Sequence, residues 1–256
     1  MQMDYETVRP GVRLAYLKDE PAPGLAGCGF FWLGGFRSDM TGSKAETLSA
    51  LARATGRPCL RFDYSGHGAS DGRFEDGTIS LWLAEALHMF RSHAPGPRVV
   101  IGSSMGGWLA ALLLRALGAE AARVQGLILV APAHDFTGAL MWDEFPPGVR
   151  TEIMATGQWL RPSAYGAPYP ITRALIEDGR HHLLLGRPFP VSCPVRILQG
   201  DADPDVPWTH AKRAFDDLSG GDVSLTLIKG GDHRLSEPAH LELLRRMALE
   251  LALRVP

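Results

Sequence analysis

Cysteine is scarce in this 256-residue chain. Cys28, Cys59 and Cys193 are too few and too scattered for a disulfide framework or a cysteine metal site. Cys28 and Cys59 fall in apolar strand-like runs, where a small thiol is buried, so a reducing compartment is expected. Charge of one sign is also missing. Lys and Arg number 26 against 28 Asp and Glu, with no basic block, so neither nucleic acid nor an anionic membrane surface is an expected partner. No apolar run is long enough to span a bilayer. The richest, near Trp108 to Leu117, is short and broken by Arg115. The opening residues Met1 to Glu6 are acidic and form neither a signal nor an Arg-rich transit peptide, so the expected location is cytoplasmic. No histidine pair has a convincing metal-ligand spacing, and no metal or cofactor is expected. What remains is an ordinary globular composition, long enough to bury a large core.

The chain that is present alternates strands and helices. Val12–Leu17 alternates apolar and polar residues, as a half-exposed antiparallel strand does. Continuous apolar runs at 27–33, 58–63, 98–101, 124–130 and 195–198 read as strands covered on both faces, and 223–228 alternates again. Helices are expected over 43–55, closed by Gly56, over 77–93, after residue 104, and over 237–254. This pattern predicts an α/β fold: a mostly parallel eight-stranded sheet flanked by helices. About sixty residues separate the strand ending at Val130 from the one starting at Val195, far more than a crossover needs. The division expected is a core of residues 1–132 and 191–256, with a small, partly helical lid of 133–190 inserted after the sixth strand. This insert is rich in large apolar groups, among them Phe136, Trp142, Phe145, Trp159, Tyr165 and Tyr169. Trp142, Phe145 and Trp159 are its candidate substrate-wall residues.

The chemistry starts at Gly102-Ser103-Ser104-Met105-Gly106. A strand precedes it and an apolar helix follows, the context of a nucleophile elbow. Serine at such a tip sits in strained backbone, and the flanking glycines allow close approach. A serine hydroxyl needs a base, and the base needs a group to orient it. The order Ser, acid, His is available downstream. Asp203, in the loop after the strand at 195–198, is the candidate acid, with Asp201, Asp205 and Asp135 as rivals. His233, in the glycine turn after the last strand, is the candidate base. Backbone N–H groups of Met105 and of Phe36, in Gly34-Gly35-Phe36, are the candidate oxyanion donors. The run Asp63 to Ser70 reads as architecture, its glycines permitting a tight turn.

These residues resemble the α/β-hydrolase superfamily. More closely, Arg61 to Gly66, Gly102 to Trp108, His181-His182, Pro190 to Arg196, Val206-Pro207-Trp208 and Asp232-His233-Arg234 are similar to the family of α/β-hydrolase domain-containing protein ten. That family includes a mitochondrial acyl-glucuronide esterase and acyl-protein thioesterase. The resemblance runs from about Leu25 to the C-terminus. It implies Ser104, Asp203 and His233 as a triad and an acyl-enzyme hydrolysis of esters or S-acyl thioesters. It also implies a small acyl substrate or an S-acylated protein for depalmitoylation as partner. Its members carry a Pro-Gly-Tyr type sequence where this chain has Gly34-Gly35-Phe36. A monomer or weak dimer is expected. A cofactor-free perhydrolase, a carbon–carbon bond hydrolase and a non-catalytic binding protein remain as alternatives on the same fold.

Overall fold

The computed structural model describes residues 3–23, 27–163 and 166–254; of Ser163 and Gly166 it describes the backbone alone. The chain starts with β1 (Asp4–Arg9), β2 (Val12–Asp19), β3 (Gly29–Leu33), α1 (Ser43–Thr55), β4 (Cys59–Phe62) and α2 (Ile79–His93). β5 (Arg98–Ser103), α3 (Met105–Ala116) and β6 (Val124–Val130) follow. Next come α4 (Pro147–Thr156), β7 (Gln158–Ser163), β8 (Gly166–Thr172), α5 (Arg173–Gly179) and the short β9 (Phe189–Pro190). The last part holds β10 (Val195–Gly200), α6 (Trp208–Asp217), the short β11 (Leu218–Ser219), β12 (Val223–Ile228) and α7 (Pro238–Leu253).

Eight strands form one sheet in the order β1-β2-β4-β3-β5-β6-β10-β12. β1 with β2 and β2 with β4 are antiparallel, and every other pair is parallel. This is the mostly parallel eight-stranded sheet that the alternation of elements predicts. Side chains alternate along each strand, so one strand serves two cores. Phe31, Leu33, Val100, Leu127 and Leu129 face one cluster with residues of α2 and α3. Phe30, Trp32, Val99, Ile101, Ile128 and Val130 face another with residues of α1 and α7. The three cysteines are buried free thiols. Burial pushes Cys28 up to about 11, Cys59 to about 12 and Cys193 to about 11.

Several boundaries follow local rules. Gly56 ends α1 in the left-handed conformation at φ 66°. α2 starts at Ile79, two residues later than the periodicity suggests, because the Thr78 side chain accepts from Leu81 N–H and caps it there. β1 was not expected: its acidic sequence hides an edge strand that pairs on one side only. Between Val130 and Val195 lie a π-helical turn at Thr137–Trp142, α4, α5 and the antiparallel hairpin β7–β8. The hairpin was hidden by Pro162, Pro168 and Pro170. A two-stranded ribbon has only edge strands, where a missing N–H can face outward. Tyr165 lies outside the described residues. No helix among the described residues is long and apolar enough to cross a membrane.

Candidate active site

β5 delivers Ser104 to the C-terminal edge of the sheet, the usual place for a site in an open α/β sheet. Ser104 has φ 55° and ψ −119°, a conformation that L-residues avoid unless the surroundings impose it. They do. Ser104 N–H donates to Val130 O at 2.9 Å, and Ser104 O accepts from Gly107 N–H at 2.9 Å and Ala133 N–H at 3.1 Å. The two flanking glycines leave no room for a side chain. A methyl group on Gly102 would stand 2.0 Å from Gly106 O, and one on Gly106 2.1 Å from Leu33 O.

Three expected residues meet here. The Ser104 hydroxyl lies 3.1 Å from His233 Nε2, and His233 Nδ1 lies 2.8 Å from Asp203 Oδ2. A carboxylate can only accept, so Nδ1 carries the proton and Nε2 is left as the acceptor for the serine hydroxyl. The Asp203 side chain is fully buried, while His233 is 24% exposed. Burial raises the Asp203 pKa, but the hydrogen bond and charge of His233, with the N–H groups of Val206 and Asp205, outweigh it and leave the carboxyl below its usual range. Its Oδ1 accepts from Asp205 N–H at 2.9 Å and Val206 N–H at 2.8 Å. Gln199, fully buried on β10, donates to Oδ2 at 3.1 Å and to Val206 O at 2.9 Å. Gln199 was not anticipated: a strand glutamine carries no signal until the loop beyond it folds back.

Two of the three rival acids are used elsewhere. Asp201 accepts from Lys229 Nζ at 2.8 Å and Gly230 N–H at 2.6 Å, tying the acid loop to the histidine turn. Asp135 accepts from Leu184 and Leu185 N–H at 2.8 and 2.9 Å and anchors the exit of the insert. Asp203, Asp205 and His233 offer ligand atoms within 4.8 Å of one another. The Asp203 oxygens are already occupied by the four donors above, which leaves little for a cation. Asp63 accepts from Met40 N–H at 2.6 Å and Ala69 N–H at 2.9 Å, so the run from Asp63 to Ser70 is held as architecture.

Beside the serine runs the loop Gly34-Gly35-Phe36. A methyl group on Gly35 would stand 3.4 Å from Ser104 Cβ, so this loop touches the site. Met105 opens α3, and the first N–H groups of a helix have no acceptor one turn back. The Phe36 ring lies in an aromatic cluster with Phe74, Phe136 and Tyr169 at centroid distances of 4.9, 5.5 and 6.1 Å. Phe136 also meets Trp108 of α3 at 5.7 Å. Tyr169 of β8 stacks under the Arg37 guanidinium at 4.2 Å, so the hairpin rests on this loop. Of the three expected wall residues, Phe145 and Trp159 pack edge to face at 5.3 Å. Trp142, whose carbonyl accepts from Phe145 N–H at 3.4 Å, is flanked by Arg150 at 5.7 Å and Arg180 at 5.4 Å.

The sheet, the elbow and the residues gathered around it define a class, and sequence comparison agrees: the chain belongs to the alpha/beta hydrolase family, whose profile matches residues 22–245. It is 36% identical over 245 residues to the human palmitoyl-protein thioesterase ABHD10, mitochondrial, covering 92% of this chain and 79% of that protein. A crystal structure from Agrobacterium vitis S4 superposes with a TM-score of 0.93 at 42% identity, covering 98% of each chain. The mouse alpha/beta hydrolase domain-containing protein 10 superposes with a TM-score of 0.86 at 33% identity, covering 99% of each. The resemblance drawn from the motifs therefore holds. The expectation of a cytoplasmic location does not. The human, rat and orangutan relatives are mitochondrial by name, which overturns it. The composition of a folded core encodes no address, so the first six residues were too little to set one.

Proposed function

We propose that this chain is a serine hydrolase that cleaves carboxylic esters and thioesters through an acyl-enzyme. The observation that carries the reading is the continuous line from Ser104 Oγ through His233 to Asp203, at 3.1 and 2.8 Å. Ser104 Oγ attacks the acyl carbonyl while His233 Nε2 takes its proton. Asp203 fixes the tautomer and stabilises the imidazolium. The N–H groups of Met105 and Phe36 hold the developing oxyanion. The imidazolium then protonates the leaving alcohol or thiol, and water, activated by the same histidine, releases the acid.

The core of 1–132 and 191–256 carries this chemistry, and residues 133–190 cover it as a lid. Trp142, Phe145 and Trp159 shape the lid's apolar side, and Phe136 and Tyr169 extend it to the oxyanion loop. An apolar acyl chain suits such a surface. The name of the human relative supports an S-acylated protein as substrate, and the motif resemblance adds acyl-glucuronide esters. Ser104→Ala tests the reading on a panel of oxygen and sulfur esters of graded acyl length. A loss on the order of 10⁴-fold is expected. Hydrolysis by the variant at the wild-type rate would refute it.

A further inference from the structure

β1 and β12 stand at the two edges of the eight-stranded sheet, and the sequence treats them differently. An open edge presents unpaired N–H and C=O groups to any other chain, so folded proteins blunt it with charge, proline or a bulge. β1 is blunted. It carries Asp4, Glu6 and Arg9, and its register with β2 shifts between Thr7 and Arg9. β12 is not. Val223-Ser224-Leu225-Thr226-Leu227-Ile228 has no charge and no proline, and its register with β10 is unbroken from Val223 to Ile228. Leu227 is 46% exposed.

The hydrogen bonds fix which groups face outward. Asp222 O accepts from Val195 N–H at 2.8 Å, and Ile228 O from Asp201 N–H at 3.0 Å, both on the β10 side. Alternation along a parallel ladder turns the backbone of Ser224 and Thr226 toward β10 as well. The N–H and C=O groups of Val223, Leu225 and Leu227 are left on the open side, with no partner among the described residues. Their side chains share one face of the sheet, and those of Ser224, Thr226 and Ile228 share the other. This pattern matches itself when reversed. Set antiparallel to a second copy, Leu225 stands opposite Leu225 of that copy, and Val223 stands opposite its Leu227. All of these residues turn free backbone groups toward one another, as hydrogen-bonded pairs require. On the other face Ser224 stands opposite Thr226 of the second copy. Apolar meets apolar and hydroxyl meets hydroxyl, the pairs that stabilise antiparallel strands. The next register along would set Lys229 against Val223. In the matched register Lys229 passes Gly221, where even a methyl group meets nothing within 4 Å.

We propose that the β12 edge is a homodimer interface, in which two copies pair antiparallel about Leu225 and join their sheets. The two-fold contact uses both β12 edges and leaves only the blunted β1 edges outside, so assembly stops at two. Sedimentation velocity on the full chain at about 100 μM should show a dimer that dissociates on dilution. Leu225→Lys and Leu225→Glu should each weaken it about tenfold, because like charges then stand opposite each other. An equimolar mixture of the two should restore it, because Lys then faces Glu. Leu227→Lys, at the exposed position, should also weaken the dimer about tenfold and decides the matter if the Leu225 variants fail to fold in thermal melts. A wild-type monomer at about 100 μM would overturn the proposal and leave the edge to an extended segment of another protein. A dimer untouched by Leu227→Lys, or folded Leu225 variants that do not recombine, would overturn it as well.

Discussion

A methyl group on Gly106 would stand 2.1 Å from the Leu33 carbonyl oxygen, whereas one on Gly107 would stand 3.1 Å from Pro132. The first contact is backbone against backbone and has no soft end to yield. Gly106→Ala should therefore push α3 away from β3 and move Ser104 with it. A displacement of that kind costs on the order of 100-fold in rate, with about 1–3 kcal/mol of stability from overpacking. Gly107→Ala should be milder in both, and urea melts beside ester kinetics compare the pair. At this scale the sequence was most readable where chemistry restricts the residue type. That Ser104, Asp203 and His233 come together could be expected because the proposed nucleophile, acid and base must each stand at a strand end. Gln199 could not, since its contact with Asp203 exists only once the loop from Asp201 to Pro207 has turned back over it.

Among the elements, α1 and β12 were readable to the residue because a glycine cap and a clean alternation mark their ends. The hairpin β7–β8 was not, because its prolines argue against strands in any wider sheet. Yet it is the element that reaches the loop Gly34-Gly35-Phe36 beside Ser104, through Tyr169 on Arg37 and Phe36. Arg37 itself has φ 59°, so the turn after Phe36 is held by its neighbours rather than by its own preference. Removing the Tyr169 ring takes away a cation–π contact and an aromatic face, together about 1–2 kcal/mol. If the Phe36 N–H is the proposed oxyanion donor, Tyr169→Leu should lower kcat about tenfold with a smaller change in KM, because a loosened donor is missed mainly in the transition state. Steady-state kinetics on one ester separates the two constants, and a change confined to KM would sink the idea.

Across the whole molecule, three buried histidines make the fold sensitive to acid. Burial pulls His67 down to about 4 and His134 to about 3, and lowers His210 as well. They stay neutral in the folded chain, while in the unfolded chain they take up protons near pH 6.5. The unfolded state thus binds more protons as pH falls from about 6.5 toward 4, and stability drops with it. The slope reaches about 1.4 kcal/mol per pH unit for each histidine. Asp63 and Asp135, whose carboxyls are raised by burial, offset part of this at the acid end. Urea midpoints should therefore fall steadily between pH 7 and 4.5, and a flat profile over that range would contradict the burial of these rings.

The distance along the chain between the serine and its histidine has a consequence for synthesis. Ser104 and His233 are 129 residues apart, and Asp203 lies between them. At about 5–20 residues per second, a growing chain carries the serine for roughly 6–26 s before the histidine has been added. During that interval the hydroxyl has no base and is an ordinary alcohol. Under the proposed roles, reactivity is switched on by completion of the sheet at β12, so a ribosome-bound or prematurely ended chain cannot acylate itself. Placing the base near the end makes the order of translation a safeguard for the nucleophile.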